Sequence, residues 1–76
     1  MIELNCNENQ ISALNLSQNL LLQKLSCAAN DLSLLDTTNN AALFYLLCGY
    51  NNIESLDLTQ NPALTLLLAP FMPPLN

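Results

Sequence analysis

Three cysteines set the phase of this chain, because Cys6, Cys27 and Cys48 follow one another at intervals of 21 residues. Other residue types keep the same phase: a Leu lies two residues before each Cys, an Asn three residues after it, and an Ile or Leu five residues after it. Residues 27–47 and 48–68 are identical at ten of 21 positions. A fixed period of this length indicates a repeat architecture in which each unit packs on its neighbours.

Each 21-residue unit contains two half-units of the form L-x-x-L-x-(L/C/T)-x-x-N. Apolar residues two positions apart lie on one face of an extended chain, so each half-unit predicts a short strand. The Asn that follows marks a corner, where its amide can pair with backbone groups that a strand ladder leaves unpaired. A unit therefore predicts one coil of a solenoid, with two strands and two corners. A helical bundle is disfavoured because the leucines cluster without a sustained helical stripe.

These columns resemble the bacterial leucine-rich repeat family in its short 21-residue form, called the IRREKO type. That form alternates L-x-x-L-x-C-x-x-N-x-L with L-x-x-L-D-L-x-x-N, and residues 56–64 resemble the second pattern. The resemblance implies a mostly β solenoid of short parallel strands and turns, without substantial helices and with about three and a half coils. It also implies an interaction surface, because family members are mostly surface or secreted bacterial proteins that bind other macromolecules.

The regular array is predicted over residues 1–68, and residues 69–76 are predicted to form an irregular, Pro-rich tail. A fourth unit would have Cys, Asn and Leu where the chain has Ala69, Met72 and Pro74. The prolines of this segment also lack the N–H that a paired strand uses. The strand ladders leave an unpaired edge at each end of the array, which favours self-association through the open ends.

Charge and composition exclude several classes of function. Lys24 is the one basic residue, against six acidic residues and no His, and the net charge is -5. A single cation cannot neutralise a phosphate backbone, which excludes nucleic acid as a partner. The absence of His removes most zinc sites and the commonest general base. No stretch approaches the ~20 apolar residues that a membrane-spanning helix needs, so membrane insertion is not expected.

The N-terminal residues have no basic region, no long apolar stretch and no small-residue cleavage site, so they do not form a secretory signal. The default expectation is therefore the cytoplasm, whereas the family resemblance implies the cell surface or secretion. The compartment stays open between these two.

No catalytic, metal-binding or cofactor-binding residue is assigned, and we predict that the chain is not an enzyme. The cysteine column is expected to fill the core, with a disulfide between coils or a thiolate metal site as the alternatives. The asparagine columns lack the dense oxygen ligands of a calcium loop and are expected to be structural. Asp36 and Asp57 would stack as a carboxylate pair, but no nucleophile or oxyanion donor accompanies them, so a solvated face is expected.

Recognition is predicted on the outward positions of the first strand of each unit. These positions change from acidic and polar in the first unit to aromatic and apolar in the third unit and beyond. Tyr is a favoured interface residue, and a contiguous exposed apolar patch usually binds a partner. The predicted partner-binding residues are Lys24, Tyr45, Leu47, Tyr50, Leu66, Leu68 and Phe71. The alternative is that the tail, or further coils of a parent protein, cover these residues.

The predicted function is therefore a non-enzymatic protein–protein interaction module without a cofactor. Its partner is an unidentified protein, and the scarcity of positive charge favours a basic or apolar one over an acidic one. The alternative is a structural fragment or spacer of a longer array, with no independent partner.

Overall fold

The computed structural model describes residues 2–70, and each 21-residue unit in that range contributes one strand of three residues. The strands are β1 (Glu3–Asn5), β2 (Lys24–Ser26), β3 (Tyr45–Leu47) and β4 (Leu66–Leu68). They pair in parallel and in chain order, and each residue pairs with the residue 21 positions further on. Residues 2–70 contain no helix, and therefore none that is long and apolar enough to cross a membrane. The predicted solenoid of short parallel strands and turns is confirmed.

The middle residue of each strand points into the core. Leu25 and Leu46 are 0% exposed, because each lies between two neighbouring coils. Leu4 is half-buried and Leu67 is 40% exposed, because the described coils cover each of them on one side only. Full burial of a Leu side chain stabilises a fold by roughly 1.5–3 kcal/mol, so the inner coils contribute most of the hydrophobic stabilisation. The buried core consists of Leu16, Leu22, Leu25, Cys27, Leu32, Leu35, Leu43, Leu46, Cys48 and Ile53.

Buried asparagines join neighbouring coils at the corners after β2 and β3. Asn51 Nδ2 donates to the carbonyl oxygens of Cys27 and Cys48, both at 3.0 Å. Its Oδ1 accepts a hydrogen bond from Leu32 N at 3.0 Å. Asn30 makes the same set of bonds one coil earlier. An Asn amide carries two donors and one acceptor, so a single side chain satisfies backbone groups of two coils at once.

A second amide ladder runs along the other corner. Asn61 Nδ2 donates to Thr37 O at 2.9 Å and to Asn40 O at 3.0 Å, and its Oδ1 accepts from Thr37 Oγ1 at 2.7 Å. Asn40 donates in the same way to Leu16 O and Asn19 O. Leu16 takes the position of Thr37 in the preceding coil and has no hydroxyl group. Asn40 Oδ1 is consequently buried without a hydrogen-bond partner, alone among the side-chain polar atoms of residues 2–70.

The second half-unit forms turns, so the prediction of a second strand in each unit is wrong. Asp57 Oδ1 accepts from Thr59 N at 2.9 Å and from Thr59 Oγ1 at 2.7 Å. Asp36 and Asn15 make the equivalent bonds with the residues two positions after them. A side chain that bonds to the backbone two residues on competes with strand pairing and favours a turn.

The boundary between the array and the predicted tail stays a prediction. Tyr50 N donates to Pro70 O at 2.9 Å, and this bond repeats the one from Ala29 N to Gly49 O one coil earlier. The repeating backbone contacts therefore reach Pro70. Residues 71–76 lie outside the described part of the chain.

We expect the asparagine side chains of the amide ladder to stabilise the fold most where they are buried. Asn51→Ala leaves the carbonyls of Cys27, Cys48 and Gly49 and the buried Leu32 N without their side-chain partner, and should lower the free energy of unfolding by about 3 kcal/mol. Asn9 has the same position in the first coil, is exposed, and donates only within its own coil. The control Asn9→Ala should cost less than about 1 kcal/mol. Urea unfolding followed by circular dichroism measures both, and equal losses would contradict the prediction.

Candidate interaction surface

The outward side chains of the four strands form one continuous surface, which we call the strand face. Because the strands are paired in register, residues 21 apart lie side by side at roughly the 4.8 Å spacing of neighbouring strands. Two rows result. The first is Glu3, Lys24, Tyr45 and Leu66, and the second is Asn5, Ser26, Leu47 and Leu68.

Polarity changes along the strand face from one end of the stack to the other. Glu3 and Asn5 are exposed polar residues of β1. Tyr45 and Leu47 on β3 are half-buried. Leu66 and Leu68 on β4 are 41% and 46% exposed. These two apolar side chains therefore form an exposed patch on the strand face. The face is therefore acidic and polar at β1 and apolar at β4.

Lys24 lies between these two halves. Its Nζ is 5.8 Å from the centroid of the Phe44 ring, a distance at which the ring attracts the cation. Phe44 directly precedes β3 and was not among the predicted site residues. Ile, Gln and Thr stand in the equivalent positions of the other units, so the repeat pattern carried no signal for it.

The corner after each strand has a left-handed backbone, with φ near 60° at Glu8, Ala29 and Tyr50. This conformation is unfavourable for residues with a Cβ, by roughly 1–2 kcal/mol, and the hydrogen bonds between coils hold it. Gly49 lies directly before the last of these corners, where an added Cβ would come within 2.5 Å of Pro70 Cδ. Position 49 therefore requires glycine. The next residue, Tyr50, presents a side chain that is 54% exposed.

The structure places most of the predicted partner-binding residues together. Lys24, Tyr45, Leu47, Leu66 and Leu68 share the strand face. Tyr50 lies at the corner after β3, and Phe71 lies outside the described residues. Their common location follows from the register of the sheet, whereas their role in binding stays a prediction.

The cysteine column lies on the inner side of the same coils. Cys27 and Cys48 are fully buried, Cys6 is half-buried, and all three thiols are free. Burial raises the pKa of Cys27 to about 12, with a smaller contribution from the thiols of Cys48 and Cys6, and it raises the pKa of Cys48 to about 11. Across residues 2–70, no three His, Cys, Asp or Glu side chains come together in a way that could hold a metal ion.

The acidic column lies on the exposed turns of the second half-unit. Hydrogen bonds from the backbone and the hydroxyl of Thr38 lower the pKa of Asp36, and those from the hydroxyl and the backbone of Thr59 lower the pKa of Asp57. A carboxylate pair that shares a proton requires one raised pKa instead. Two shallow grooves of about 230 Å³ each run along this column and away from the strand face. The carboxylates therefore act as acceptors that hold turns.

One parallel strand per 21-residue coil, with columns of Leu, Cys and Asn in register, defines a leucine-rich repeat solenoid, and the chain belongs to the bacterial leucine-rich repeat family. Its structure is similar to the functional domain of InlJ from Listeria monocytogenes, which includes a cysteine ladder, with a TM-score of 0.87 and 45% sequence identity. The match covers 88% of this chain and 15% of that one, so the chain spans only a small part of the InlJ domain's length. No protein-family model and no curated protein matches the sequence.

The buried thiols predict a loss of stability at alkaline pH. Above the ordinary thiol pKa of 9.0 the unfolded chain releases protons that Cys27 keeps until about pH 12 in the folded chain. Stability is therefore fully present below pH 9 and falls between pH 9 and 12, by at most ~1.4 kcal/mol per pH unit for each thiol.

Cys27→Ala should flatten this dependence, although it lowers stability at neutral pH. Urea unfolding at a series of pH values under reducing conditions measures the slope in both chains, and all other titrating groups are common to the two. Identical slopes in the two chains would show that the Cys27 thiol ionises as readily in the folded state as in the unfolded state.

Proposed function

We propose that the chain is a non-enzymatic protein-interaction module that binds its partner through the strand face. The observation that carries the proposal is the apolar half of this face, where exposed Leu66 and Leu68 adjoin half-buried Tyr45 and Leu47. Apolar side chains that lie side by side on a sheet form a contiguous surface, and such surfaces are characteristic of binding sites. Tyr45 adds an aromatic ring of the kind that anchors interfaces.

The rigidity of the face supports the same proposal. The two inner strands, β2 and β3, are each fixed on the inner side by a buried core Leu, and the Cys carbonyl that follows each of them accepts a hydrogen bond from a buried amide of the Asn ladder. The outward side chains of β2 and β3 therefore have a defined position before any partner arrives, which reduces the ordering cost of association.

The charges on the face favour a particular kind of partner. Glu3 and Glu8 are exposed in the first coil, Lys24 is the one basic residue of the chain, and the net charge is -5. A partner segment with basic residues at one end and aliphatic or aromatic residues at the other would complement both halves of the face. We therefore propose a basic, amphipathic protein segment as the ligand.

The similarity to InlJ also supports an interaction role. The matching structure is described as a functional domain, and the part that resembles this chain is built from the same kind of coil. A second candidate, a spacer within a longer array, is favoured by one observation: Leu67, which points into the core, is 40% exposed.

The proposal can be tested with a displayed library of short random peptides selected for binding to the full chain. We expect the selected peptides to combine Lys or Arg with aliphatic or aromatic residues. Their affinity should fall at least tenfold, or about 1.4 kcal/mol, when Leu47, Leu66 and Leu68 are replaced by Ser. Isothermal titration calorimetry with one selected peptide measures the loss.

The control replaces an equal number of exposed leucines that lie off the strand face, namely Leu20, Leu21 and Leu34, by Ser. This variant should bind the peptide like the parent chain. Thermal unfolding of both variants separates lost binding from lost folding. Selection of acidic peptides, or equal binding by the two variants when both are folded, would refute the strand face as the binding surface.

A further inference from the structure

We propose that Asn15 is an acceptor site for N-linked glycosylation, in which its side-chain amide takes up a sugar from an activated donor. Asn15, Leu16 and Ser17 have the sequence Asn-x-Ser with x other than Pro, which is the acceptor motif of this modification. The chain has twelve asparagines, and no other one is followed two positions later by Ser or Thr. The inference does not depend on the function proposed for the strand face.

The turn at Asn15 fixes the oxygen of the side-chain amide and leaves its nitrogen unused. Asn15 Oδ1 accepts hydrogen bonds from Ser17 N at 3.0 Å and from Ser17 Oγ at 2.6 Å. Asn15 Nδ2 has no hydrogen-bond partner within residues 2–70. An amide nitrogen carries two protons, so a sugar can replace one of them without the loss of any contact that holds the turn.

The asparagines of the two amide ladders differ from Asn15 in this respect. Asn51 Nδ2 donates to carbonyls of two coils, and Asn61 Nδ2 does the same at the other corner. Both residues are buried, and a sugar on either nitrogen would break bonds that join the coils. The motif therefore occurs at an asparagine whose nitrogen has no structural role.

The position of Asn15 within its coil makes the side chain accessible to a modifying enzyme. Asn15 is exposed and Ser17 is half-buried. Asp36 has the equivalent position in the next coil, where a coil packs on each side, and it is exposed as well. Exposure is therefore a property of this turn and does not require that Asn15 lies in the first coil of an array.

A groove beside Asn15 offers space and polar partners for the first sugar. The groove has a volume of about 230 Å³, and Asp36, Thr38 and Asn39 of the next coil line it together with Asn15 and Ser17. Carboxylate, hydroxyl and amide groups are hydrogen-bond partners for sugar hydroxyls. No strand residue lines the groove, so a glycan at this position leaves the strand face open.

The donor is a sugar whose anomeric carbon carries a diphosphate leaving group, in a nucleoside-diphosphate sugar or in a lipid-linked saccharide. The step forms a bond between Asn15 Nδ2 and the anomeric carbon, and the bond from that carbon to the phosphate oxygen breaks. The phosphate oxygen leaves with the electron pair, and Nδ2 releases one proton. A transferase supplies the catalysis, and this chain supplies only the acceptor.

Incubation of the folded full chain with a soluble N-glycosyltransferase and a nucleoside-diphosphate hexose tests the proposal, with intact-mass spectrometry as the readout. We expect one hexosyl unit per chain, and fragmentation of the digested product should locate it on Asn15. A parallel reaction with a membrane oligosaccharyltransferase and its lipid-linked donor distinguishes the two sources of the sugar. Modification by either enzyme supports the proposal.

Asn15→Asp is the matched control, because Asp36 and Asp57 form the same turn through Oδ1 and have no amide nitrogen. This variant should fold like the parent chain by circular dichroism and take up no sugar. Ser17→Ala should also remain unmodified, because the hydroxyl is part of the acceptor motif. Ser17→Thr keeps a hydroxyl at that position and should restore the modification.

Asp57→Asn is the positive control, because it introduces a second acceptor motif, ending at Thr59, into an equivalent exposed turn. It should take up two hexosyl units. Sugar at position 57 alone would overturn the proposal, because the transferase would then be active on this fold and reject Asn15. Uptake that persists in Asn15→Asp, uptake by the parent chain only after unfolding, or no uptake with either enzyme would also overturn it.

Discussion

The buried amide bonds between coils are the interaction on which the rest of this structure depends. Each coil has 21 residues but only one strand of three, so most of its backbone polar groups have no sheet partner. Buried groups of this kind must be paired, and a side chain that pairs several of them in two coils fixes the spacing of those coils. Asn30 and Asn51 do this at the corner after the strands, and Asn40 and Asn61 do it at the other corner of the coil.

The core and the outer surface both follow from this spacing. Once the coils are held in register, the Leu and Cys columns stack into a continuous apolar interior, and the outward residues of successive strands become neighbours. Leu25 and Leu46 are buried because a coil packs on each side of them, whereas Leu67 in the last described coil is covered on one side only. Repeat proteins are stabilised by interactions between nearest neighbours, so their terminal units are the least covered.

Much of the fold could be predicted from the sequence because the same residue pattern recurs in each 21-residue unit. The Leu-x-Cys columns located β1, β2 and β3, the 21-residue period extended them to β4, and the outward columns located the strand face. The second half-unit was misread because its alternating apolar residues resemble a strand, whereas the Asp-x-Thr sequence at Asp36 and Asp57 favours a turn.

Features that occur once could not be predicted by comparing repeat units. The contact between Lys24 and Phe44 depends on a side chain that has no counterpart in the other units. The unpaired oxygen of Asn40 results from a single Leu at position 16, where the next unit has Thr37 with a hydroxyl group. Such features depend on the particular residues that meet across two coils. The pattern shared by all units does not include these residues.

Amide hydrogen exchange of the parent chain tests most directly whether the asparagine ladder holds the coils together. Leu32 N lies outside every strand and donates to Asn51 Oδ1, whereas Cys27 N donates to Leu47 O of the sheet register. If the ladder is part of the cooperative fold, the Leu32 amide should be protected as strongly as the Cys27 amide, and both should exchange through global unfolding. Exchange of Leu32 as fast as that of Thr38, an amide of an exposed turn, would contradict this account.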